Sequence, residues 1–228
     1  TIPTKRTVVL NRWAERGTIV QGCALSEAGI VLWVDVKDQP SKLSGQSLGV
    51  DIGVNKLLSD SRGNHYGTEF KTIRDKIRRS KPKSKARYRH YAERENFINR
   101  TINLLPWVVL CVMGVEDLHD MKRGKQKRRG KDFRKALAPW TYRRVLERIG
   151  HKAQEHRVRL VAVPPAHTSQ TCPNCRTVSR DSRRGERFQC VVCGHSGDAD
   201  HFGALEIIAR TRQILRSVES LGPNQAVT

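Results

Sequence analysis

The chain has 228 residues, 37% of them hydrophobic, enough for one sizeable α/β domain or a domain plus a small module. Its 43 Lys and Arg against 22 Asp and Glu leave a formal net charge of +21, a field that attracts polyanions and makes nucleic acid the leading partner. No apolar run reaches the ~18 residues of a spanning helix and no signal-peptide pattern is visible, so the expectation is a soluble, cytoplasmic protein with no membrane partner.

Taken in order, residues 1–40 read as short strands: TVVLNRW, TIVQGCAL and IVLWVDV, with turns at Arg16-Gly17 and Glu27-Ala28-Gly29. A short apolar strand follows from Leu48 to Val54 with Asp51 in its middle. Leu57-Leu58, the turn signal Ser61-Arg62-Gly63-Asn64 and the return at His65-Tyr66-Gly67 predict a hairpin. Residues 69–103 are dense in Lys and Arg, lack glycine after residue 67, and place Ile77, Tyr88, Tyr91, Phe97, Ile98 and Ile102 at roughly helical spacing. They predict two helices broken near Ser80-Lys81-Pro82. The run LLPWVVLCVMGVE predicts a strand after Pro106, buried on both faces and ending at Glu116.

Between Met121 and Lys135 lies a basic stretch with two glycines, which is either a solvated loop or a nucleic-acid contact. Lys122, Arg123, Lys125, Lys127, Arg128, Arg129 and Lys131 are its candidate binding residues. A helix from Pro139-Trp140 through His156 is expected to turn Tyr142, Val145, Leu146 and Ile149 to the core. Val158 to Val163 predicts another strand, stopped by Pro164-Pro165. A last helix is expected from about Asp200 to Leu221, followed by a frayed tail.

Two constellations carry chemistry. Cys172-Pro-Asn-Cys175 and Cys190-Val-Val-Cys193-Gly194 have the spacing of two knuckles that close a tetrahedral, structural zinc site, although sulfur ligation alone also admits iron. That usage implies a reducing compartment, and Cys23 and Cys111, alone in apolar contexts, read as buried thiols. With four ligands already in place, His195 reads as a surface residue. The second constellation is Asp51, Glu116 and Asp200, acids placed mid-strand, at a strand end and at a helix start. Hydrolysis of a phosphodiester by two divalent ions needs oxygen ligands on rigid elements, and these positions supply them. Taken singly, each such acid is more often a cap or a solvated charge than a metal ligand.

The segments LGVDIGVNKLL with SDSRGNHYG, GVEDLHDMKRGK, AHTSQTCPNC and CVVCGHSGDADHFGALEI resemble, in order, the nuclease core of transposon-encoded TnpB proteins and the type V CRISPR effectors. The resemblance runs from about Val31 to Arg210, and Thr168-Ser169-Gln170-Thr171-Cys172 is its most specific part. It implies an α/β fold: an RNase H-like (RuvC) mixed sheet flanked by helices, with an inserted zinc ribbon and a short N-terminal β segment. The implied organisation is an N-terminal β segment over 1–42, a remnant of a wedge-like barrel, and a RuvC-like core over 43–167 with a helical insertion at about 69–103. The ribbon would span 168–197, and the last motif, helix and tail 198–228.

The resemblance further implies that Asp51, Glu116 and Asp200 are the catalytic acids that hold Mg²⁺ or Mn²⁺, with Asp198 an auxiliary acid or cap. DNA and a guide RNA are the implied partners, with a homodimer or protein partner left open. The chain departs from the family in having Phe202-Gly203-Ala204 where Asn-Ala-Ala is usual, and in the 50 residues before Asp51, where relatives carry a wedge and a helical recognition domain. Three readings follow. The first is an RNA-guided, metal-dependent DNA endonuclease in minimal or partial form; the second, a guide-independent, structure-selective nuclease of the resolvase kind; the third, a non-catalytic nucleic-acid-binding regulator.

Overall fold

The computed structural model describes residues 7–27, 29–37, 39–117 and 139–220; the basic residues from Lys122 to Lys131 lie outside them. The chain forms two compact units, Thr1–Pro40 and Ser41–Thr228.

In the first unit the stretch expected as a strand at 7–13 is instead a helix, α1 (Val8–Ala14). The Thr7 side chain accepts from the Leu10 backbone N–H at 3.2 Å, an N-cap that satisfies one of the free amides at a helix start. Arg12 and Arg16 both lie over the Trp13 ring, 5.8 and 5.7 Å from its centroid. Capping and these local contacts outweigh the β-branched pair Val8-Val9, which joins no ladder among the described residues. The next two strands form as expected, β1 (Thr18–Ser26) pairing antiparallel with β2 (Gly29–Asp35). The register shifts between Ile19 and Cys23, where Gly22 takes φ 116°, the conformation of a bulge. Cys23 is exposed, a correction to its reading as a buried thiol: β1 is exposed along its whole length. Cys111, in the second unit, is buried as expected.

The second unit is built on a five-stranded sheet in the order β5-β4-β3-β6-β7. Its strands are β3 (Gln46–Ile52), β4 (Leu58–Asp60), β5 (His65–Tyr66), β6 (Leu110–Glu116) and β7 (Arg159–Val163). β3, β6 and β7 run parallel, while β4 is antiparallel to β3 and β5 to β4. The basic insertion forms α2 (Phe70–Arg79) and α3 (Lys85–Asn103), interrupted at Ser80–Ser84 where Pro82 cannot continue a helix. α4 (Pro139–Glu155) returns the chain to β7.

Alternation along the strands divides their side chains between two layers. On one face Leu48, Val50, Met113 and Val115 pack with Phe70, Ile98 and Ile102 from α2 and α3 and with Val145 and Ile149 from α4. On the other face lies α5 (Ala199–Ser220), whose Ile207 packs on Val161 and Val163. This helix comes unusually close to the sheet. A Cβ on Gly49 would stand 2.3 Å from the Ala204 carbonyl oxygen, and one on Gly114 2.0 Å from Thr211 Oγ1. Only glycine at the paired positions Gly49 and Gly114 leaves room for α5 against the parallel strands.

Between β7 and α5 the chain makes a three-stranded antiparallel module, order β10-β9-β8, from β8 (Arg183–Arg184), β9 (Arg187–Gln189) and β10 (Ser196–Asp198). Phe188, buried beneath it, packs edge-on against Phe202 of α5, 5.3 Å between centroids, so the module and the helix start share a small core.

Candidate metal centres

The cysteines come together. The ligand atoms of Cys172, Cys175, Cys190 and Cys193 all lie within 4.8 Å of one another, with Cys172 to Cys193 at 3.7 Å and Cys175 to Cys190 at 3.5 Å. A tetrahedral ion with metal–sulfur bonds of ~2.3 Å needs sulfur–sulfur edges of about 3.8 Å, so the set fits such an ion.

The two knuckles are copies of one turn. In each, the first cysteine's N–H donates to the carbonyl five residues on, Thr177 or His195, and its carbonyl accepts from the N–H four residues on, Arg176 or Gly194. That fourth residue takes a positive φ in both, 62° at Arg176 and 71° at Gly194. The first knuckle thus holds an arginine where the second uses glycine, and the arginine pairs with buried Glu206 on α5 at 2.6 Å. The Thr177 hydroxyl and backbone N–H hold the Cys175 thiol down to about 6, and the His195 N–H with Asn174 lowers that of Cys193. Burial pushes the Cys172 thiol up to about 11, an environment that a cation in the cluster would reverse. His195 is exposed, as expected, and stacks on Phe202 at 5.0 Å.

The sheet assembles the second constellation by register. Asp51 pairs with Ser59, Ser59 with His65, Val50 with Val115 and Glu116 with Val163. One row across the sheet therefore reads His65, Ser59, Asp51, Glu116, Val163, with Asp51 and Glu116 neighbours at the carboxyl ends of parallel strands. Like Gly49, Asp51 faces α5, and a Cβ on Gly203 would stand 3.2 Å from its Oδ2. The first turn of α5 brings Asp200 over this row. A Cβ on Gly53, two residues beyond Asp51, would lie 3.9 Å from Asp200 Oδ2.

Electrostatics reports the same convergence. Asp51 keeps some exposure as a residue, yet its carboxyl is pushed up to about 8, by burial first and then by the negative charges of Glu116 and Asp200. Burial, then Glu116 and Asp51, also raise the Tyr142 hydroxyl, which donates to the Glu116 carbonyl at 3.2 Å.

Each acid has its own support. Thr168 donates to Glu116 Oε1 and, at 3.2 Å, shares the Pro165 carbonyl, so the Thr-Ser-Gln-Thr-Cys segment ties the cysteine module to the end of β6. Asp200 Oδ1 accepts from Arg183 Nη2 at 2.8 Å, and its Oδ2 lies 3.9 Å from Lys56 Nζ. Asp198 caps α5, its Oδ1 accepting from the Asp200 and His201 N–H groups at 3.0 and 2.9 Å. Its Oδ2 pairs with Lys56 at 2.6 Å and faces His65 Nε2 at 3.7 Å. Lys56 and the N–H of His201 hold the Asp198 carboxyl low against its burial.

Sequence reasoning missed Lys56, His65 and Arg183. Lys56 and His65 sit in quoted motifs but carry no spacing of their own. Arg183 is one of many arginines in the module and is singled out only by where β8 delivers it.

Residues 142–207, from α4 to the middle of α5, match the Cas12f1-like TNB domain. Over 72 residues the chain is 33% identical to the CRISPR-associated endodeoxyribonuclease Cas12f1 of Sulfoacidibacillus thermotolerans, covering 31% of this chain and 17% of that protein. Over 58 residues it is 36% identical to the putative RNA-guided DNA endonuclease InsQ of Escherichia coli, covering 25% of this chain and 14% of that one. Among solved structures, Cas12f1 in complex with sgRNA and target DNA superposes with a TM-score of 0.54 at 20% identity, covering 83% of this chain and 55% of that chain, a likeness of fold. Over these stretches the chain is similar to Cas12f1 and to InsQ, which supports a likeness to TnpB proteins and type V effectors. The matched stretches span less than a fifth of the curated relatives' own lengths.

Proposed function

We propose that this chain carries the catalytic module of a metal-dependent DNA endonuclease of the TnpB-like RuvC type that works with a guide RNA. The observation that carries the reading is the row in which Asp51 and Glu116 stand side by side beneath Asp200, with Asp51 pushed up to about 8 by burial first and then by its two acidic neighbours. Three carboxylates in one place repel one another and are tolerable when cations lie among them. The sheet order, three parallel strands with an antiparallel edge pair, supports an RNase H-like core over 43–167, with the ribbon over 168–197 and the last acidic motif from 198.

The donor sets suit two kinds of ion. The four sulfurs fit a structural zinc, which would hold the ribbon against α5. The three hard carboxylates fit Mg²⁺ or Mn²⁺, which when bound compensates charge on the phosphate and makes water nucleophilic at neutral pH. The chain's own residues do the rest. Thr168 orients Glu116, Asp198 caps the helix that presents Asp200, and Arg183 and Lys56 stand beside Asp200, where a phosphate oxygen would meet them. Relatives named as RNA-guided or CRISPR-associated endonucleases, and a similar fold solved with sgRNA and target DNA, support the choice of substrate and guide.

The test is to purify the chain from its host, sequence the nucleic acid that comes with it, and assay Mg²⁺-dependent cleavage of DNA matching that sequence. The reading expects one discrete RNA and cleavage that disappears in Asp51→Ala. Cleavage of branched DNA with no RNA bound would select the resolvase-like alternative, and binding without cleavage the regulator.

A further inference from the structure

The tip of the α2–α3 hairpin is a candidate nucleic-acid contact with a built geometry. Residues 71–94 hold eleven Lys or Arg and two acids, Asp75 and Glu93. Both acids are already engaged, Asp75 with Arg78 at 3.5 Å and Glu93 with Lys76 at 2.7 Å and His90 at 3.1 Å. Lys81, Lys83, Lys85 and Arg89 are exposed and, among the described residues, pair with no acid.

The loop that presents them is fixed rather than loose. Ser84 Oγ donates to the Lys81 carbonyl at 2.7 Å and accepts from the Arg87 N–H, capping α3. Arg87 then reaches back to the Ser80 carbonyl at 3.0 Å while its Nε donates to Tyr91 OH at 2.9 Å. Within this brace Lys83 is held at φ 60°, a left-handed conformation that a lysine adopts only when its surroundings impose it.

Beside these cations stands Tyr88. Helical spacing groups it with the apolar positions of the insertion, but it is 62% exposed, resting edge-to-face on Tyr91 at 6.5 Å, and Tyr91 is itself flanked by the Arg87 and Arg94 guanidinium groups. An exposed aromatic ring on a braced platform among unpaired cations matches the chemistry of an unpaired nucleic-acid strand, whose phosphates meet the lysines and whose free base faces stack on the ring.

We propose that this tip, with Lys81, Lys83, Lys85 and Arg89 on the phosphates and Tyr88 stacked on a base, is a binding site for single-stranded nucleic acid separate from the carboxylate row. The assignment deepens the nucleic-acid reading above and does not depend on cleavage.

It is tested on the full chain by fluorescence anisotropy with labelled dT20, rU20 and a blunt 20-base-pair DNA duplex over a salt series. Tyr88→Ala should weaken dT20 or rU20 binding about tenfold with an unchanged salt slope, Tyr88→Phe should restore it, and duplex binding should not move. Which of the two strands responds identifies the natural one as DNA or RNA. A Lys81→Gln, Lys83→Gln, Lys85→Gln triple variant should lower the slope of log K against log[salt] by about 2, roughly 0.7 for each lost phosphate contact. Single-strand affinity and slope unchanged in both variants, or no strand binding by the parent, overturns the proposal. Loss of binding with cleavage never seen would instead count against the nuclease reading and leave the tip standing.

Discussion

All four cysteines lie within 22 residues on two turns of the same build, whereas the carboxylates come from β3, the end of β6 and the first turn of α5, 65 and 84 residues apart. The cysteine cluster is local: each knuckle closes with hydrogen bonds spanning four or five residues, and the ion would supply the rest. The carboxylate row exists only when β3 and β6 pair in one register and α5 lies close over them, which Gly49 and Gly114 permit. A one-residue slip of β3 would turn Asp51 to the opposite face. One site would therefore lean on a bound ion for its fold, while the other depends on the fold for its shape.

The contrast can be broken most sharply at Asp51. Asp51→Ala is expected to reduce Mg²⁺-dependent DNA cleavage to background while leaving nucleic-acid affinity unchanged, since the residue faces the other acids and not the basic surfaces. A gel assay beside a binding titration checks both halves. At the cysteine cluster, Cys190→Ser should leave less than one metal ion per chain by elemental analysis and a ribbon open to protease, because structural zinc contributes folding free energy directly. The carboxylate core from β3 to α4 should stay protected in the same digest.

A smaller effect is expected where helix and sheet meet. Gly114→Val places a branched side chain against Thr211, and overpacking of this kind costs about 1–3 kcal/mol, read from urea unfolding. It should also lower cleavage by lifting α5 from the row, while metal content at the cysteines stays at the parent's level. The smallest effect belongs to the paired knuckles. Arg176→Gly relieves a left-handed φ but removes the ion pair to Glu206, two changes of opposite sign, and the net should stay within about 1 kcal/mol of the parent.

Much of this arrangement was legible in the sequence. The hairpin after Asp51, the break between α2 and α3, the buried strand before Glu116 and the cysteine knuckles were all readable, because each rests on local turn chemistry or on an apolar run. β6 starts only at Leu110, since Pro106 to Val109 forms a turn closed by a 3.2 Å hydrogen bond. α1 was misread because Val8-Val9 carries a strand-like propensity, while the Thr7 cap that decides the matter is a single hydroxyl.

The three acids were picked out as strand-borne and helix-start residues, but their supports were not. Lys56, His65, Thr168 and Arg183 come to the site through pairing and packing across long stretches of chain, and no period or spacing encodes that. A Cβ on Gly203 would stand 3.2 Å from the Asp51 carboxylate, so an alanine there would require that carboxylate to give by a few tenths of an ångström.

The central claim is that Asp51, Glu116 and Asp200 share cations, and thermal unfolding with and without Mg²⁺ across pH tests it most directly. In metal-free buffer, an acid whose carboxyl rises from 3.8 unfolded to about 8 folded keeps its proton longer in the native state. Its contribution is complete below pH 4 and is lost as pH rises toward 8, so Tm should fall over that window. Asp51→Asn should flatten the fall and be no less stable than the parent at pH 8. Saturating Mg²⁺ should raise the parent's Tm at pH 8, because binding to the native state stabilises it by mass action, and should raise that of Asp51→Asn much less. Equal Mg²⁺ stabilisation of the two proteins, with the same pH dependence in both, would contradict the account.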